Sequence, residues 1–385
     1  MPYFSFSLKQ NFIKQIKNMP SDFEYIETDQ VYFSKNTNLW KILQKNENLE
    51  YLNFLRFEKR KKANLKGKKI LFFLPPSIGM GDAIEYGLAI KAIEQSKMFD
   101  FISIAFVGRY KMIFKKYFNL HNIFENIISE VNLNVHDIIY HFSLELKNLK
   151  NQKYLRSDIE DSIIKKFNVP KIRKKLNIEN KKIKTINIFP VSTSPIRSMS
   201  IKILNKLIGF LENDYSLNII FDESSDISNY LDKNIILGNY KKLYPPSLNQ
   251  LCDIIEKTKY GIFMDSGPLH LAKILGIRGI LLITSVNNNI LLNDFFTIYE
   301  VKNNYVSNYC NAPCGLTNIF NYENNIGCFQ TLLLSKKDFY NKQNLNALQR
   351  GKTKDNYSNF MINPVGCIKN INFQKLKNNL KEFLL

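Results

Sequence analysis

The stretch Gly261-Ile262-Phe263-Met264-Asp265-Ser266-Gly267-Pro268-Leu269-His270-Leu271-Ala272-Lys273-Ile274-Leu275-Gly276 decides the fold. An apolar run ends at Asp265-Ser266-Gly267, and a helical pattern begins with His270 in its first turns. Such a strand-to-helix junction suits an anion. Asp265 and Ser266 are placed to cap the helix, Gly267 lets a ligand approach the backbone, and Pro268 fits the first turn. The N–H groups there face the ligand. The same cluster is also what an ordinary capped βα turn looks like.

Working outward, the pattern repeats. The run Thr185 to Phe189 is followed by a Ser/Thr-rich loop, Leu217 to Phe221 by an acidic pair, and Gly279 to Ile283 closes the series, with a further strand expected at Ile235 to Leu237. Helical stretches are expected at 200–213 and 247–258. Upstream, Lys69 to Leu74 feeds Pro75-Pro76-Ser77-Ile78-Gly79-Met80-Gly81-Asp82 and then a helix, with strands at Phe101 to Val107 and Ile138 to Phe142. Continuous apolar strands alternating with helices predict parallel sheets covered on both faces. The chain therefore reads as α/β with two doubly wound halves, over 67–170 and 185–302, joined by a basic linker at 171–184. Ligands of such folds sit beyond the carboxyl ends of the strands, which predicts a cleft where both halves contribute residues.

Around these halves the patterning weakens. Residues 1–66 read as a mostly helical extension, with helical spacing from Trp40 to Arg60 and a basic run from Arg56 to Lys62. Residues 303–366 read as an irregular insertion containing cysteines, notably over 341–360, and 367–385 as a terminal helix.

Composition narrows the class. The 385 residues, 45% hydrophobic and 13% aromatic, supply two cores. Lys plus Arg number 54 against 34 Asp plus Glu, a formal charge of +20, which suits anionic lipid, nucleic acid or phosphorylated substrates without choosing among them. No apolar run is long enough to span a bilayer, and lysines interrupt the first twenty residues before a signal core forms, so a cytoplasmic protein is expected. Five cysteines are then expected as reduced thiols. Cys310, Cys314, Cys328 and Cys367 resemble a thiolate zinc set, but structural zinc sites usually offer two tight pairs and only one exists here. No metal is assigned to them, and whether they bind one stays open. Walker A, H-E-x-x-H, G-x-S-x-G and D-x-D patterns are absent, which points to metal-free chemistry. Only His270 among four histidines falls in a motif.

Read in full, D-S-G-x-x-H-x-A followed by Leu275-Gly276 and Ile280 to Ile283 resembles the donor-site signature of the heptosyltransferase-like glycosyltransferases of family 9. Gly81-Asp82 resembles that family's amino-terminal G-D motif, with Leu88 where proline is frequent. Ser192-Thr193 and Arg197 resemble its P-G-A-S-x-x-K-x-W loop, with arginine in the lysine place and Met199 in the tryptophan place. Cys310-x-x-Pro313-Cys314 and Cys367 resemble its tail, where the implied role is packing. The similarity covers roughly 68–285 and implies a GT-B fold, two Rossmann-like domains facing a central cleft.

The implied activity is inverting transfer of a heptose-like sugar from a nucleotide-diphosphate donor to a lipid-linked or oligosaccharide acceptor of the lipopolysaccharide-core or cell-surface type, at the inner face of the cytoplasmic membrane. No cofactor and no nucleic acid are implied. By resemblance Asp82 is the general base, and Gly81 and Glu85 lie on the acceptor side. Ser192, Thr193, Arg197, Ser266, Gly267 and His270 grip the phosphates, and Asp265 holds a sugar hydroxyl. Asp222 and Glu223 stand where the family has glycines and then an acid beside the nucleoside. The missing glycines leave the donor's identity open. Two alternatives remain: a GT-B nucleotide-sugar epimerase, and a non-catalytic GT-B protein acting at a membrane or on nucleic acid.

Overall fold

In a computed structural model, Met1–Asn151 with Ile159–Ile172 form one unit, and Arg173–Leu385 with Gln152–Asp158 the other. The structure describes residues 4–8, 32–34, 49–54, 68–74, 78–106, 109–125, 136–142, 158–173, 183–303, 305–308, 310–317, 319, 328, 331 and 360–384.

The first unit opens with strands β1 (Phe4–Leu8), β2 (Tyr32–Ser34) and β3 (Leu49–Phe54), an antiparallel sheet in the order β2-β1-β3. This corrects the helical expectation wherever the extension is described. Phe4-Ser5-Phe6-Ser7-Leu8 alternates apolar and polar residues with period two, a strand pattern, and β3 pairs with it across what spacing alone reads as a helix. The basic run 56–62 lies outside the described residues, as do Trp40 and the linker segment 174–182.

Next come β4 (Lys69–Phe73), α1 (Met80–Gln95), β5 (Phe101–Ala105), α2 (Lys111–Phe118), β6 (Ile123–Phe124), β7 (Ile138–His141) and α3 (Ile159–Phe167). All strand pairs here are parallel, in the order β6-β5-β4-β7. Numbered by sequence within this sheet the order is 3-2-1-4, so the direction of winding reverses between β4 and β7. Helix α1 is buried on nearly every side, because it lies against the sheet and contacts both α2 and α3. Gly87 permits the α2 contact: a Cβ there would stand 2.3 Å from the Phe118 ring. Phe72 centres an aromatic cluster with Phe99, Tyr140, Phe142 and Phe167.

The second unit runs β8 (Thr185–Phe189), a 3-10 turn at Pro195–Arg197, α4 (Ile201–Leu211), β9 (Ser216–Ile220), α5 (Asp226–Asn234), β10 (Tyr240–Leu243), α6 (Leu248–Lys257), β11 (Tyr260–Phe263), α7 (Gly267–Leu275), β12 (Arg278–Ile283), α8 (Asn288–Leu291), β13 (Ile298–Lys302), α9 (Gly366–Lys369) and α10 (Phe373–Leu384). Its six strands are all parallel in the order β10-β9-β8-β11-β12-β13. That is 3-2-1-4-5-6, the doubly wound dinucleotide-fold order, with the reversal between β8 and β11. The strand expected at 235–237 is instead an exposed connection, and Leu237 is 99% accessible. The third strand is Tyr240–Leu243, which gains its place by pairing with β9 and carries exposed Lys241 and Lys242 as an edge strand should.

The core of this unit joins both faces of the sheet to its helices. Ile203, Leu204, Leu207, Ile208 and Leu211 form the buried stripe of α4, and Leu376 and Leu380 dock α10 on the same cluster. The terminal helix expected over 367–385 is thus α9 and α10 with a break at 370–372. Of the expected irregular insertion, 341–359 lies outside the described residues. What is described of 305–317 is irregular, with an isolated Val306–Asn311 bridge.

Candidate functional site

Each unit presents loops at its own winding reversal. In the first, β4 leads to Gly79, the N-cap of α1, with Asp82 at the third helical position. The Gly79 amide donates to Asp82 Oδ2 at 2.9 Å, so Asp82 closes the first turn while its side chain stays partly accessible. Gly81 is buried beneath it. Glu85, expected on the acceptor side, is 2% exposed, and its Oε2 accepts from the Ile159 amide at 3.4 Å. Packing of α3 on α1 gives this carboxylate an internal partner in place of an exposed face.

The second unit brings most of the expected donor residues together. β8 ends in the loop 190–200 and β11 in Met264-Asp265-Ser266, so both loops emerge side by side. Ser192 Oγ donates to the Asp265 carbonyl at 2.6 Å, locking one loop to the other. Arg197 lies across them. Its Nη1 is 3.4 Å from Asp265 Oδ2 and 3.4 Å from the Asp265 carbonyl, and its Nη2 donates to Thr193 Oγ1 at 2.7 Å. His270, on the first turn of α7, is buried, with Nε2 3.9 Å from Asp265 Oδ1. One buried carboxylate therefore faces a guanidinium and an imidazole.

Ser266, the N-cap of α7, makes no side-chain cap hydrogen bond; its Oγ turns back to the Met264 carbonyl at 3.2 Å. This corrects the capping expectation for Ser266. The Asp265 carboxylate lies beside Arg197 and His270. The start of α7, with Gly267 first and Pro268 next, is half-buried.

Asp222 and Glu223 sit beyond the end of β9, exposed, and two strands from Asp265, about 10 Å at the usual strand spacing. Asp222 Oδ1 accepts from the Ser224 amide at 3.0 Å and from its hydroxyl at 2.6 Å, so it shapes its own turn. Nearby, burial together with the hydrogen bond to Asp232 pushes the Tyr244 hydroxyl up to about 12, keeping it protonated.

Sequence reasoning missed Ser198. Its hydroxyl accepts from the Ser192 amide at 2.9 Å and donates to the Ser194 carbonyl at 2.9 Å, holding the donor loop in shape. Only the serine-rich composition of the loop hints at it. Lys273 was also missed: it is 1% exposed, with Nζ 2.7 Å from the Leu291 carbonyl, an internal brace for α8.

The cysteines give a second constellation. Cys310, Cys314, Cys328 and Cys367, far apart in sequence, all line one cavity of about 40 Å³. That is room for a single ion or water, an order of magnitude below a nucleotide site. Burial pushes the Cys367 thiol well up, and neighbouring Cys328, Cys314 and Cys310 add to the effect. Burial also raises Cys310 and Cys314. Among the described residues no group of three or more His, Cys, Asp or Glu side chains is arranged to hold a metal ion.

Two parallel-sheet units with loops gathered at each reversal make a GT-B fold, of the kind found in a solved heptosyltransferase structure. No family model matches the sequence and no curated protein matches it. Among solved structures, the dodecameric iron-containing heptosyltransferase TibC, in complex with ADP-D-beta-D-heptose, is matched over 100% of this chain and 91% of its own, at 12% identity and a TM-score of 0.52. TibC comes from enterotoxigenic E. coli H10407. E. coli heptosyltransferase WaaC with ADP is matched over 60% of this chain and 93% of its own, at 10% identity and a TM-score of 0.43. A family 9 glycosyl transferase from Veillonella parvula DSM 2008 is matched over 62% and 87%, at 12% and 0.43. At these identities the likeness is one of fold.

Proposed function

We propose that this protein is an inverting glycosyltransferase that takes a heptose-like sugar from a nucleotide-diphosphate donor and passes it to a saccharide acceptor. The observation that carries the reading is the convergence of Ser192, Thr193, Arg197, Asp265 and His270 at the winding reversal of a 3-2-1-4-5-6 sheet, where such folds bind nucleotides.

The donor diphosphate lies against the uncapped start of α7, with Gly267 allowing close approach and the backbone N–H groups facing the anion. Arg197 supplies positive charge as the leaving group gains negative charge, His270 lies beside it, and Asp265 keeps both oriented while holding a sugar hydroxyl. Glu223, beyond β9, is placed for the ribose or base edge. Asp82 takes the proton of the attacking acceptor hydroxyl, and one base suffices because the leaving diphosphate needs no protonation. The acceptor is of the lipid-linked or oligosaccharide type, with the +20 charge favouring an anionic membrane surface. No helix among the described residues is long and apolar enough to cross a membrane.

Transfer itself needs no metal in this scheme. TibC is iron-containing; in this chain the groups with the chemistry for such an ion are the four cysteines, whose cavity admits one ion and whose soft thiols suit iron or zinc. An ion there would cross-link the chain.

A thermal-shift screen against ADP, UDP, GDP, CMP and dTDP tests the reading. One nucleotide diphosphate should raise the melting temperature of wild type and of Asp82→Asn, because bound ligand stabilises the native state by mass action. Absence of any shift sinks the donor site. Donor turnover without a saccharide acceptor points instead to the epimerase.

A further inference from the structure

The turn that carries Arg197 is packed on one side and polar on the other. Ile196 is 1% exposed and joins Ala312, Phe360, Val365 and Ile368 in a small apolar cluster, with Leu316 partly buried against it. Its neighbour Arg197 reaches Thr193 and Asp265. Residues 315–317 then contact the walls of the proposed donor site in succession. The Gly315 amide donates to the Ser285 carbonyl beyond β12 at 2.6 Å. The Leu316 side chain packs on the Ile196 cluster, and the Thr317 carbonyl accepts from Arg197 Nε at 2.8 Å. Gly315 has a φ of 85°, in the left-handed region that side chains resist, so glycine lets the chain turn from the first of these contacts to the last.

Arg197 is therefore held on several sides. Thr317 takes Nε, Nη1 lies 3.4 Å from the Asp265 carboxylate and 3.4 Å from its carbonyl, and Nη2 donates to Thr193 Oγ1 at 2.7 Å. Nη2 carries a further N–H, which has no acceptor among the described residues. Thr193 is exposed, and because its oxygen accepts from Nη2, its own hydroxyl proton is left to donate. Ser192 differs, since its hydroxyl proton already goes to the Asp265 carbonyl. A guanidinium is a rigid plane, so fixing Nε and Nη1 fixes where Nη2 aims. The lysine of the resembling loop has a single ammonium, which cannot span tail and site at once.

We propose that the 315–317 segment is a positioning element of the donor site. By holding Arg197 Nε it turns the guanidinium so that Nη2 and the Thr193 hydroxyl donate side by side to one diphosphate. Thr317 acts through Arg197 and touches no substrate. That a diphosphate is what Arg197 and Thr193 meet rests on the donor-site reading, whereas the brace from tail to guanidinium does not.

The test uses the full chain. In protein carrying isotope-labelled arginine, the Arg197 Nε–H is followed by NMR and assigned by its loss in Arg197→Lys. It should exchange with solvent about tenfold more slowly than in free arginine, and Gly315→Ala, which strains the turn, should abolish that protection. Inorganic pyrophosphate, a diphosphate without base or sugar, is then titrated by calorimetry. Gly315→Ala should weaken its binding about tenfold, the scale of one charge-assisted hydrogen bond. Arg197→Lys should weaken it at least as much, and adding Gly315→Ala to Arg197→Lys should change nothing further, because the tail then has no Nε to hold.

An unprotected Nε–H in wild type overturns the brace. Additive losses in the double variant overturn it too, since a merely structural Gly315 acts independently of Arg197. Leu316→Ala loosens the same segment by removing its apolar anchor, and it carries the same expectations if Gly315→Ala does not fold. Protection that survives in every folded variant of the two also overturns the proposal. A protected Nε–H that the variants expose, in a protein that binds neither pyrophosphate nor any nucleotide diphosphate, leaves the brace standing and removes the donor reading.

Discussion

Asp265 is the residue on which the proposed donor site turns. It is 3% exposed and faces Arg197 at 3.4 Å, so removing the guanidinium strands a buried carboxylate. Arg197→Ala should cost about 3 kcal/mol in urea denaturation. Adding Asp265→Asn to that variant should recover part of the loss, since no unpaired charge then remains; a strictly additive double mutant would show that the pair is not coupled. Asp82 separates differently. Asp82→Asn keeps an acceptor for the Gly79 amide, so its melting temperature should stay close to wild type while turnover falls about 100-fold or more. Equal loss of stability and turnover would reassign Asp82 to the helix cap. The positions of Asp82 and Asp265 were readable in G-D and D-S-G-x-x-H-x-A, because both lie near their own strand ends. The burial of Glu85 was not legible, because its environment is made by α3, about seventy residues later in the chain.

At the scale of elements, caps tell the functional helix start from the structural ones. Ser247 caps α6 by accepting from the Gln250 amide at 3.3 Å, whereas Ser266 makes no cap on α7. Ser247→Ala should therefore cost about 1 kcal/mol, and Ser266→Ala clearly less in the same chemical denaturation assay. The central strands carry their own constraint. Gly261 and Gly279 are partners across β11 and β12, and a Cβ on Gly279 would stand 2.2 Å from the Gly261 carbonyl. The clash is with backbone, which cannot rotate away, so Gly279→Ala should destabilise by about 1–3 kcal/mol. Strands such as Tyr260–Phe263 were legible as unbroken apolar runs. The third strand was not: Tyr240-Lys241-Lys242-Leu243 has a polar edge pattern, and pairing with β9 makes it a strand, while the more apolar Ile235-Ile236-Leu237 has no such partner.

For the whole molecule, the +20 charge predicts that sedimentation with anionic vesicles falls steeply between low and physiological salt, while neutral vesicles bind little at either. Binding that ignores salt would remove the charge from the account. The sequence by itself determined the α/β class, the parallel character of both main sheets and the identity of most donor-loop residues. Those properties follow from periodicity and from short motifs at strand ends, where neighbours in sequence are neighbours in space. The antiparallel sheet of the first fifty-four residues, the internal role of Glu85 and the turning of Asp265 toward Arg197 were decided by tertiary structure. So was the gathering of Cys310, Cys314, Cys328 and Cys367 against the back of the donor loop. In each case the partner lies far along the chain, and only packing of the completed core brings the two together.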